Sequence, residues 1–553
     1  MGPSVCPVMQ GISVKALGAM QEWPLRVMRL VDHAEREHGG REIVSAWAGG
    51  RITRTDWRSV AQDARRMAQA LEAAGVKPGD RIATLAMNHS AHLTAWYGAI
   101  GMGGVLHTIN PRLFDDQIVF IANHAEDRVL IYDHAFAATV ERLKPQFATI
   151  ETYICFDPEV EAERSFASWL APHDGNYAWV EGDELDPCGL CYTSGTTGNP
   201  KGVLYTHRST MLHAMAEVAP DSFNLAARSV CMPIVPMFHA NAWGIPWAAP
   251  LTGCKLVLSA DYRPAQLCDL YRDEKVTHSA GVPTVWLGMI EHIEKTGDDL
   301  ADLKYVTIGG SAAPRAMIEW FRAKGVDVSH AWGMTETSPI GSMGGKPAGW
   351  DDMCDAEQVT FTTHQGRVPF GVELRVIDEE GAELPRDGVQ SGNLQIRGPW
   401  VIRRYFKDEQ DAVGADNWFD TGDVAALHPD GSMQITDRSK DVIKSGGEWI
   451  SSIELENAAV GVPGVAEAAA IGIFHPKWDE RPLLVVVRSA GSDVTPDAIR
   501  AHLVTQVARW WLPDAIEFVD ELPHTATGKL SKRTLRDQFA HYRFADAVGM
   551  VGR

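Results

Sequence analysis

The chain has 553 residues, 45% of them hydrophobic, so it exceeds a single hydrophobic core and at least two domains are expected. Its formal net charge of −21 argues against binding nucleic acid or an anionic membrane through bulk electrostatics, and a phosphate site must be positive only locally. The first thirty residues lack an uninterrupted apolar core, and no later window offers about 18–20 apolar residues. We therefore expect a cytoplasmic protein without a signal peptide or an integral membrane segment.

Helix-like and strand-like segments alternate along the first part of the chain. A helical pattern covers residues 57–75, and Gly75 stands where a glycine would cap its C-terminus. Apolar runs rich in strand-forming residues follow at residues 81–87 and 127–132. This alternation predicts an α/β architecture of parallel sheets covered by helices.

A buried strand is predicted at residues 188–192, immediately before a loop rich in glycine and hydroxyl groups. Cys188 and Cys191 lie on this strand with the spacing of a redox or zinc motif. No second pair of cysteine or histidine residues at ligand spacing accompanies them, so we interpret both as strand packing. The scattered distribution of all eight cysteines is typical of a reduced compartment.

The loop at residues 192–202 has the sequence YTSGTTGNPKG and is predicted to bind a polyphosphate. Its glycines let backbone N–H groups converge on one point, its hydroxyls add donors, and Lys201 adds positive charge. It differs from the P-loop of kinases and GTPases because Pro200 precedes the lysine and no Ser or Thr follows it. The alternative is an ordinary surface loop, but the apolar run at residues 203–205 places it between two strands.

Five further motifs follow this loop, and the whole series spans more than 330 residues. They are GGSAAP at residues 309–314, WGMTE at 332–336, TGD at 421–423, DRSKD at 437–441 and TGK at 527–529. In this order the motifs resemble those of the adenylate-forming superfamily, which comprises acyl-CoA synthetases, luciferases and peptide-synthetase adenylation domains. Residues 236–244, 444–450 and 477–482 are most similar to bacterial medium-chain fatty-acyl-CoA ligases and methylthiopropionate-CoA ligases. The resemblance covers nearly the whole chain.

The resemblance implies two domains joined by a hinge. A large N-terminal domain of parallel sheets covered by helices, with a small β subdomain, would span residues 1–437 and bind AMP and the acyl group. A small, mobile α+β domain would span residues 441–553. The cluster of charged residues at 437–441 suits a hinge at residues 438–440, and Lys440 aligns with the family's hinge residue. An ordinary charged loop is the alternative reading of this cluster.

The reaction implied is the ATP-dependent joining of a small carboxylic acid to CoA. A carboxylate is a poor electrophile, so it first attacks ATP to give an acyl-adenylate and pyrophosphate, and the CoA thiol then displaces AMP. A short- or medium-chain fatty acid or a methylthio-alkanoic acid is expected. The alternatives are an arylalkanoate-CoA ligase, an enzyme that loads a carrier protein, a non-catalytic acyl-nucleotide sensor and, least favoured, a luciferase-like oxygenase.

The resemblance also assigns residues to the nucleotide. The loop would hold the β- and γ-phosphates, Trp332 would stack on adenine where a tyrosine is more usual, and Asp423 would accept bonds from the ribose hydroxyls. Glu336 and Thr193 would bind Mg²⁺, since this ion prefers carboxylates and phosphate oxygens. The residues implied for ATP are Thr193, Ser194, Gly195, Thr196, Thr197, Gly198, Lys201, Gly310, Ser311, Ala312, Trp332, Gly333, Met334, Thr335, Asp423, Arg438 and Lys440.

Catalysis and acid binding are assigned in the same way. Lys529 would be a cation between the substrate carboxylate and the α-phosphate, where it offsets the repulsion of two anions. His239 would line the acyl pocket near the carboxylate, and Trp243 would shape or gate it. Weaker candidates for the pocket wall are Val282, Trp286, Gly309 and Met334. Several indoles in one pocket favour a short or medium acyl chain.

The second half-reaction is assigned to the C-terminal domain, where two adjacent glycines would allow close approach of the pantetheine arm of CoA. The residues of this surface are Lys444, Gly446, Gly447, Glu448 and Trp449, and the cations Lys477, Arg481, Arg509 and Lys532 are weaker candidates for CoA phosphates. The family often forms homodimers through the N-terminal domain, and residues 22–27 are a candidate contact.

Overall fold

A computed structural model describes residues 20–157, 165–193, 199–446, 448–524 and 530–544. Its helices are α1 (Met28–His38), α2 (Trp57–Ala73), α3 (Ser90–Gly101), α4 (Asp115–Ala125), α5 (Ala137–Leu143), α6 (Phe166–Leu170), α7 (His207–Glu217), α8 (Ile245–Thr252), α9 (Pro264–Glu274), α10 (Pro283–Thr296), α11 (Arg315–Ala323), α12 (Asp355–Thr363), α13 (Ser452–Val460), α14 (Pro496–Gln506) and α15 (Lys532–Gln538).

Its strands are β1 (Glu42–Ala46), β2 (Ile52–Asp56), β3 (Arg81–Leu85), β4 (Val105–Thr108), β5 (Asp127–Tyr132), β6 (Thr152–Cys155), β7 (Pro187–Tyr192), β8 (Gly202–Thr206), β9 (Val230–Pro233), β10 (Lys255–Ser259), β11 (His278–Gly281), β12 (Tyr305–Ile308), β13 (Asp327–His330), β14 (Trp332–Gly333), β15 (Ile340–Ser342), β16 (Glu373–Ile377), β17 (Gly392–Arg397), β18 (Phe419–Leu427), β19 (Met433–Arg438), β20 (Ile443–Ser445), β21 (Glu448–Ile450), β22 (Val465–His475), β23 (Asp479–Arg488) and β24 (Ala515–Val519).

Two mainly parallel sheets form the first part of the molecule. One has the order β13-β12-β11-β9-β10-β1-β2 and is parallel except between β1 and β2. The other has the order β6-β5-β3-β4-β7-β8 and is parallel except between β7 and β8. Their central strands are mostly buried, as expected for parallel sheets with helices on their faces, and the edge strands β2, β6 and β13 are more exposed.

Two smaller sheets follow. Strands β16 to β19 form an antiparallel sheet in sequence order, which is the small β subdomain. The last sheet has the order β21-β20-β23-β22, with β24 parallel to β23, and helices α13 and α15 pack against β22. The predicted α/β fold class is confirmed. The division at residues 438–440 stays a prediction; β19 ends at Arg438 and β20 begins at Ile443.

Helix α2 illustrates how local sequence sets an element. Its N-cap is Asp56, whose carboxylate accepts from the N–H of Ser59 at 2.9 Å. Gly75 follows the helix with φ +83°, a left-handed conformation in which the absence of a Cβ removes the strain. The buried residues between these ends recur at helical spacing: Trp57, Val60, Ala61, Ala64, Met67, Ala68, Ala70 and Leu71. The predicted helix is confirmed, as are the strands at residues 81–85 and 127–132.

The candidate dimer contact at residues 22–27 is partly occupied within the chain. The guanidinium of Arg26 is 5% exposed and donates to the carbonyl of Asp183 and the carboxylate of Asp186. The N–H of the fully buried Val27 donates to Nδ1 of His207. Arg26 and Val27 are therefore buried within the chain, whereas Trp23 is exposed, and the dimer contact stays a prediction. Among the described residues, none of the helices combines the length and the apolar content of a membrane span.

Candidate active site

Strands β7 and β8 hold the two ends of the predicted phosphate loop. They pair antiparallel up to Tyr192 opposite Gly202, and the N–H of Thr193 donates to the carbonyl of Lys201 at 2.9 Å. This bond closes the base of the loop. Five of its predicted contacts lie outside the described residues: Ser194, Gly195, Thr196, Thr197 and Gly198.

Cys188 and Cys191 lie on β7 as buried free thiols. Burial raises the pKa of Cys188 to about 12 and that of Cys191 to about 11, so both remain protonated. A protonated thiol is a poor metal ligand and a poor nucleophile. The interpretation as strand packing is confirmed.

Lys201 and Glu336 are connected through Tyr405, a residue that the sequence analysis missed. The ammonium of Lys201 lies 4.7 Å from the centre of the Tyr405 ring, and the Tyr405 hydroxyl donates to Oε1 of Glu336 at 2.8 Å. Burial and the charge of Glu336 raise the pKa of Tyr405, so its hydroxyl remains a donor. Tyr405 stands 69 residues after Glu336 and outside the family motifs. Its aromatic ring was the only sequence signal.

The backbone around Glu336 is held from two sides. The carbonyl of Glu336 accepts from the N–H of Ile402 at 2.8 Å, and the carbonyl of Thr335 accepts from the Tyr205 hydroxyl at 2.8 Å. The Glu336 side chain is mostly buried, at 7% exposure. A carboxylate fixed in this way, together with the hydroxyl of Thr193 and phosphate oxygens, is the donor set that Mg²⁺ prefers. The residues present therefore fit this ion.

Trp332, Asp423 and Arg438 form a connected group. The indole N–H of Trp332 donates to Oδ2 of Asp423 at 2.9 Å, and Nε of Arg438 lies 2.8 Å from Oδ1 of the same carboxylate. Asp423 is 2% exposed, on β18, and Arg438 ends the adjacent β19. The structure thus brings together three residues that the sequence assigned to the nucleotide separately.

Two glycines near this group are required by the backbone, Gly333 by close packing and Gly310 by its positive φ. A Cβ on Gly333 would lie 1.8 Å from the carbonyl oxygen of Pro339, so no larger residue fits. Gly310, after β12, has φ +81°. Ser311 is exposed and Ala312 is half-buried beyond it.

His330 supports the segment after Ala312. Its Nε2 accepts from the N–H of Ala313 at 3.3 Å, and its Nδ1 lies 2.9 Å from the carbonyl of Thr363. Burial lowers the pKa of His330 to about 4, so the ring is neutral and its proton is on Nδ1. His330 therefore acts as a fixed structural support.

Trp243 lies on a left-handed turn that begins after the half-buried His239. The four residues 240–243 have φ between 42° and 56°, and Gly244 has φ 85°. Such a run of non-glycine residues costs roughly 1–2 kcal/mol each. Backbone strain of this kind is found at functional sites, where surrounding packing maintains it.

The Trp243 indole packs against the segment after β12. A Cβ on Gly309 would lie 3.2 Å from Cη2 of Trp243, and one on Gly310 would lie 3.8 Å from Cζ2. A Cβ on Gly310 would also lie 3.1 Å from Cγ1 of Val282. The structure therefore brings together three of the residues predicted for the acyl pocket, Trp243, Gly309 and Val282, beside Gly310 of the predicted nucleotide site.

Two other predicted wall residues belong to other packing clusters, and their role in the pocket stays a prediction. Trp286 is fully buried on α10, where its ring meets the edge of Phe321 in a different core cluster. Met334 is half-buried and packs against the cluster of the β subdomain. Neither contacts Trp243 in the packing described above.

A buried acid supports the Trp243 turn. The carboxyl of Glu217 is 1% exposed and occupies the space that a Cβ on Gly244 would fill, at 2.3–2.6 Å. Burial raises the pKa of Glu217 well above its ordinary value, and burial lowers that of His213 to about 3. His213 accepts from the N–H of Ile340 through Nε2, and its Nδ1 lies 3.5 Å from Glu217. A neutral pair therefore lies between the turn and β15.

The predicted hinge lies beside a buried polar cluster. Asp437 is fully buried, and its carboxylate accepts from the N–H and the hydroxyl of Ser452 on α13. Lys440 follows, and its carbonyl accepts from Arg536 on α15 at 3.0 Å. Burial lowers the pKa of Lys440. A residue just before the predicted hinge and one within it are thus bonded to the last part of the chain.

Lys532, one of the weaker candidates for CoA phosphates, belongs to this cluster. It is 9% exposed, ion-paired with Glu456 at 2.7 Å and bonded to the hydroxyl of Ser452. Arg481 is also engaged, by the carboxylate of Asp514 and by backbone carbonyls. Both cations therefore have partners within the chain, and Arg481 also lines the cavity beside Gly446.

The predicted thiolation residues lie around β20 and β21. Gly446 has φ +64°, and its N–H donates to the carbonyl of Trp478 at 2.7 Å. The ammonium of Lys444 lies 5.9 Å from the centre of the Trp449 ring. A cavity of about 830 Å³ beside Gly446 is lined by Trp478 and Trp510, among others. Gly447, the Glu448 side chain and Lys529 lie outside the described residues.

Comparison with known proteins places the chain in a family. Residues 31–406 match the model of the AMP-binding enzyme family, and residues 454–529 match that of the AMP-binding enzyme C-terminal domain. The chain is 47% identical to a 3-methylmercaptopropionyl-CoA ligase of Ruegeria lacuscaerulensis, over 95% of this chain and 99% of that protein. It is 44% identical to a medium-chain-fatty-acid CoA ligase of Ectopseudomonas oleovorans, over 95% and 97% of the two chains.

A solved structure extends the comparison to the fold. The crystal structure of an anthranilate CoA ligase in complex with anthranoyl-AMP matches with a TM-score of 0.83 over 94% of this chain and 98% of that one. The two sequences are 24% identical, so this likeness establishes the fold alone. The two family matches and the identities above show that the chain belongs to the AMP-binding enzymes, within the adenylate-forming superfamily that its motifs predicted.

Proposed function

We propose that this chain is an ATP-dependent acid:CoA ligase. A carboxylate oxygen of the acid attacks the α-phosphorus of ATP, and pyrophosphate leaves. The CoA thiol then loses its proton and attacks the acyl carbon of the adenylate, which releases AMP and forms the thioester. Chemistry of this kind depends mainly on positioning and on neutralisation of charge.

One observation carries the proposal. Trp243, on the strained turn, contacts Gly309 and Gly310, and the same short segment continues into the residues predicted to border adenine. An acid bound against Trp243 would therefore have its carboxylate beside the nucleotide. The names of the relatives support the proposed activity, since both are CoA ligases and each alignment covers 95% of this chain.

The proposed acid is a short- or medium-chain fatty acid or a methylthio-alkanoic acid. One relative is named for 3-methylmercaptopropionate and another for medium-chain fatty acids. Both substrates combine a carboxylate with an apolar tail. The indole of Trp243 and the Val282 side chain offer a matching apolar surface, and bulky rings leave little volume for a long chain.

The predicted residue roles remain part of the proposal. The loop and Lys201 hold the phosphates, Glu336 and Thr193 hold Mg²⁺, and the bound ion neutralises phosphate charge. Lys529 and His239 act on the carboxylate. CoA approaches the surface of Lys444, Gly446, Gly447, Glu448 and Trp449, where the neighbouring cavity supports a site for its extended arm. A cytoplasmic location and a homodimer are proposed from the sequence.

Pyrophosphate release tests the activity. Hexanoate, octanoate, 3-methylthiopropionate and a phenyl-substituted acid would each be supplied with ATP and Mg²⁺, with and without CoA. We expect about one pyrophosphate per enzyme without CoA, and continued release with AMP and thioester when CoA is present. Absence of acid-dependent pyrophosphate with every acid would contradict the proposal. Turnover that requires a carrier protein in place of CoA would favour the carrier-loading alternative.

A further inference from the structure

We infer that Trp332 is a positioning residue for Asp423, and that its indole N–H makes the nucleotide site selective for a ribose carrying both hydroxyls. The inference rests on the proposed function, in which Asp423 accepts bonds from the ribose. The inference concerns the indole N–H of Trp332, whereas stacking on adenine would use the face of the ring. The sequence assigned only that face a role.

The Trp332 ring is held in one place by its surroundings. A Cβ on Gly341 would lie 2.2 Å from Cζ3 of the ring and 3.3 Å from the side chain of Ile396. Trp332 is 9% exposed and belongs to the core cluster of the β subdomain. A ring confined in this way directs its N–H along a fixed line to Oδ2 of Asp423, at 2.9 Å.

The carboxylate is consequently held at both oxygens. Trp332 donates to Oδ2 and Arg438 lies against Oδ1 at 2.8 Å. A carboxylate has about four lone-pair positions, and a donor at each of its two oxygens fixes its plane. The torsion of an Asp carboxylate is otherwise broad. Fixing it in advance removes an ordering cost when the two ribose hydroxyls bind.

The consequence is selectivity between nucleotides. A fixed carboxylate meets the 2′- and 3′-hydroxyls in one geometry, and a nucleotide without one of them leaves an acceptor unpaired in a buried site. A carboxylate that can rotate adapts to the remaining hydroxyl and discriminates less. A phenylalanine at residue 332 would keep an aromatic face for adenine and lose the N–H donor.

The experiment measures binding by calorimetry and does not depend on the acid. The probes are AMP, 2′-deoxyAMP and 3′-deoxyAMP. For the natural chain we expect AMP to bind about tenfold or more tightly than either deoxy form, the size of a hydrogen bond to a charged acceptor. In Trp332→Phe we expect each ratio to fall to about threefold. Asp423→Asn should lower the ratios in the same direction.

Trp400→Phe is the matched control. The Trp400 indole also lies in the core cluster of the β subdomain and also donates its N–H, but to the carbonyl of Ile340 at 2.9 Å. Its substitution should leave the ratios unchanged. A ratio of two dissociation constants within one variant is insensitive to the folded fraction, and Trp332→Tyr provides a second variant without the indole N–H.

Two outcomes overturn the inference: natural ratios in Trp332→Phe and Trp332→Tyr, or an equal fall in Trp400→Phe. Failure of the proposed function is distinguishable from either. AMP binding with the expected ratios but without acid-dependent pyrophosphate release would overturn the ligase assignment and leave the inference standing. A natural chain that does not bind AMP would overturn both.

Discussion

The hydroxyl of Tyr405 donates to Oε1 of Glu336 at 2.8 Å, although 69 residues separate the two in sequence. Lys201 lies over the same ring at 4.7 Å. Tyr405 therefore connects the base of the phosphate loop with the carboxylate proposed for Mg²⁺. Removal of this one hydroxyl tests whether the connection contributes to nucleotide activation.

Tyr405→Phe should lower kcat/KM for ATP by about tenfold and raise the Mg²⁺ concentration needed for half-maximal rate. The expected size is that of a hydrogen bond to a charged acceptor. Tyr97→Phe is the control, because the buried Tyr97 hydroxyl donates to the backbone carbonyl of Pro246, outside the segment that holds Glu336. A magnesium titration shifted equally in both variants would show a general loss of structure and would remove Tyr405 from the proposed site.

Gly244→Ala should destabilise the chain more than Gly297→Ala. Both glycines have positive φ, so alanine is strained at either position. A Cβ at Gly244 also meets the Glu217 carboxyl, whereas at Gly297 nothing lies within 4 Å. We expect a further loss of about 1–3 kcal/mol at Gly244, measured by denaturant unfolding, and an altered acid preference through Trp243. Equal stability of the two variants would argue against tight packing beneath the turn.

Lys529→Ala should slow adenylate formation by roughly 10²–10³, the loss typical of one preorganised charge. Thioester formation from supplied acyl-AMP should remain close to the natural rate, since the lysine is proposed to act in the first step alone. Single-turnover release of pyrophosphate and of AMP measures the two steps separately. Equal losses in both would exclude this assignment.

Lys440→Pro should block one half-reaction. Proline fixes φ near −65°, so two domain orientations that need different backbone angles at residue 440 cannot both be reached. We expect single-turnover pyrophosphate release to survive and acyl transfer to CoA to fall strongly. Lys440→Ala is the control, because it removes the same side chain and keeps backbone freedom; it should retain more acyl transfer than the proline variant. Natural rates in the proline variant would mean that the rotation has another pivot.

The Glu456 cluster should make stability depend on pH. Burial raises the pKa of Glu456 to about 7, and the ion pair with Lys532 opposes this rise. Because its folded pKa lies above its ordinary value of 4.5, the folded state binds the additional proton, and this group makes stability fall as pH rises between about 4.5 and about 7. Asp437 and Ser452 face the same lysine. Glu456→Gln should flatten this slope in urea unfolding across that range. An unchanged slope would exclude Glu456 as its source.

The sequence by itself determined the features that depend on neighbouring residues. Strands β7 and β8 on either side of the phosphate loop followed from apolar runs, and the end of α2 at Gly75 followed from the need for positive φ. The motifs also named Trp332, Asp423 and Arg438. These features can be predicted from the sequence because periodicity and glycine conformation depend on nearby residues, and the order of motifs is itself a property of the sequence.

Only the tertiary structure decided which of these residues share a bond and which are withdrawn from solvent. Trp332 and Asp423 are 91 residues apart, and their hydrogen bond depends on how β14 meets β18. Trp286 has the same side chain as Trp243 but lies in another core cluster. Lys532 has the charge of a CoA ligand, yet it is buried against Glu456. The physical reason is that burial and pairing are set by the packing of sheets distant in sequence, and one residue type serves either role according to that packing.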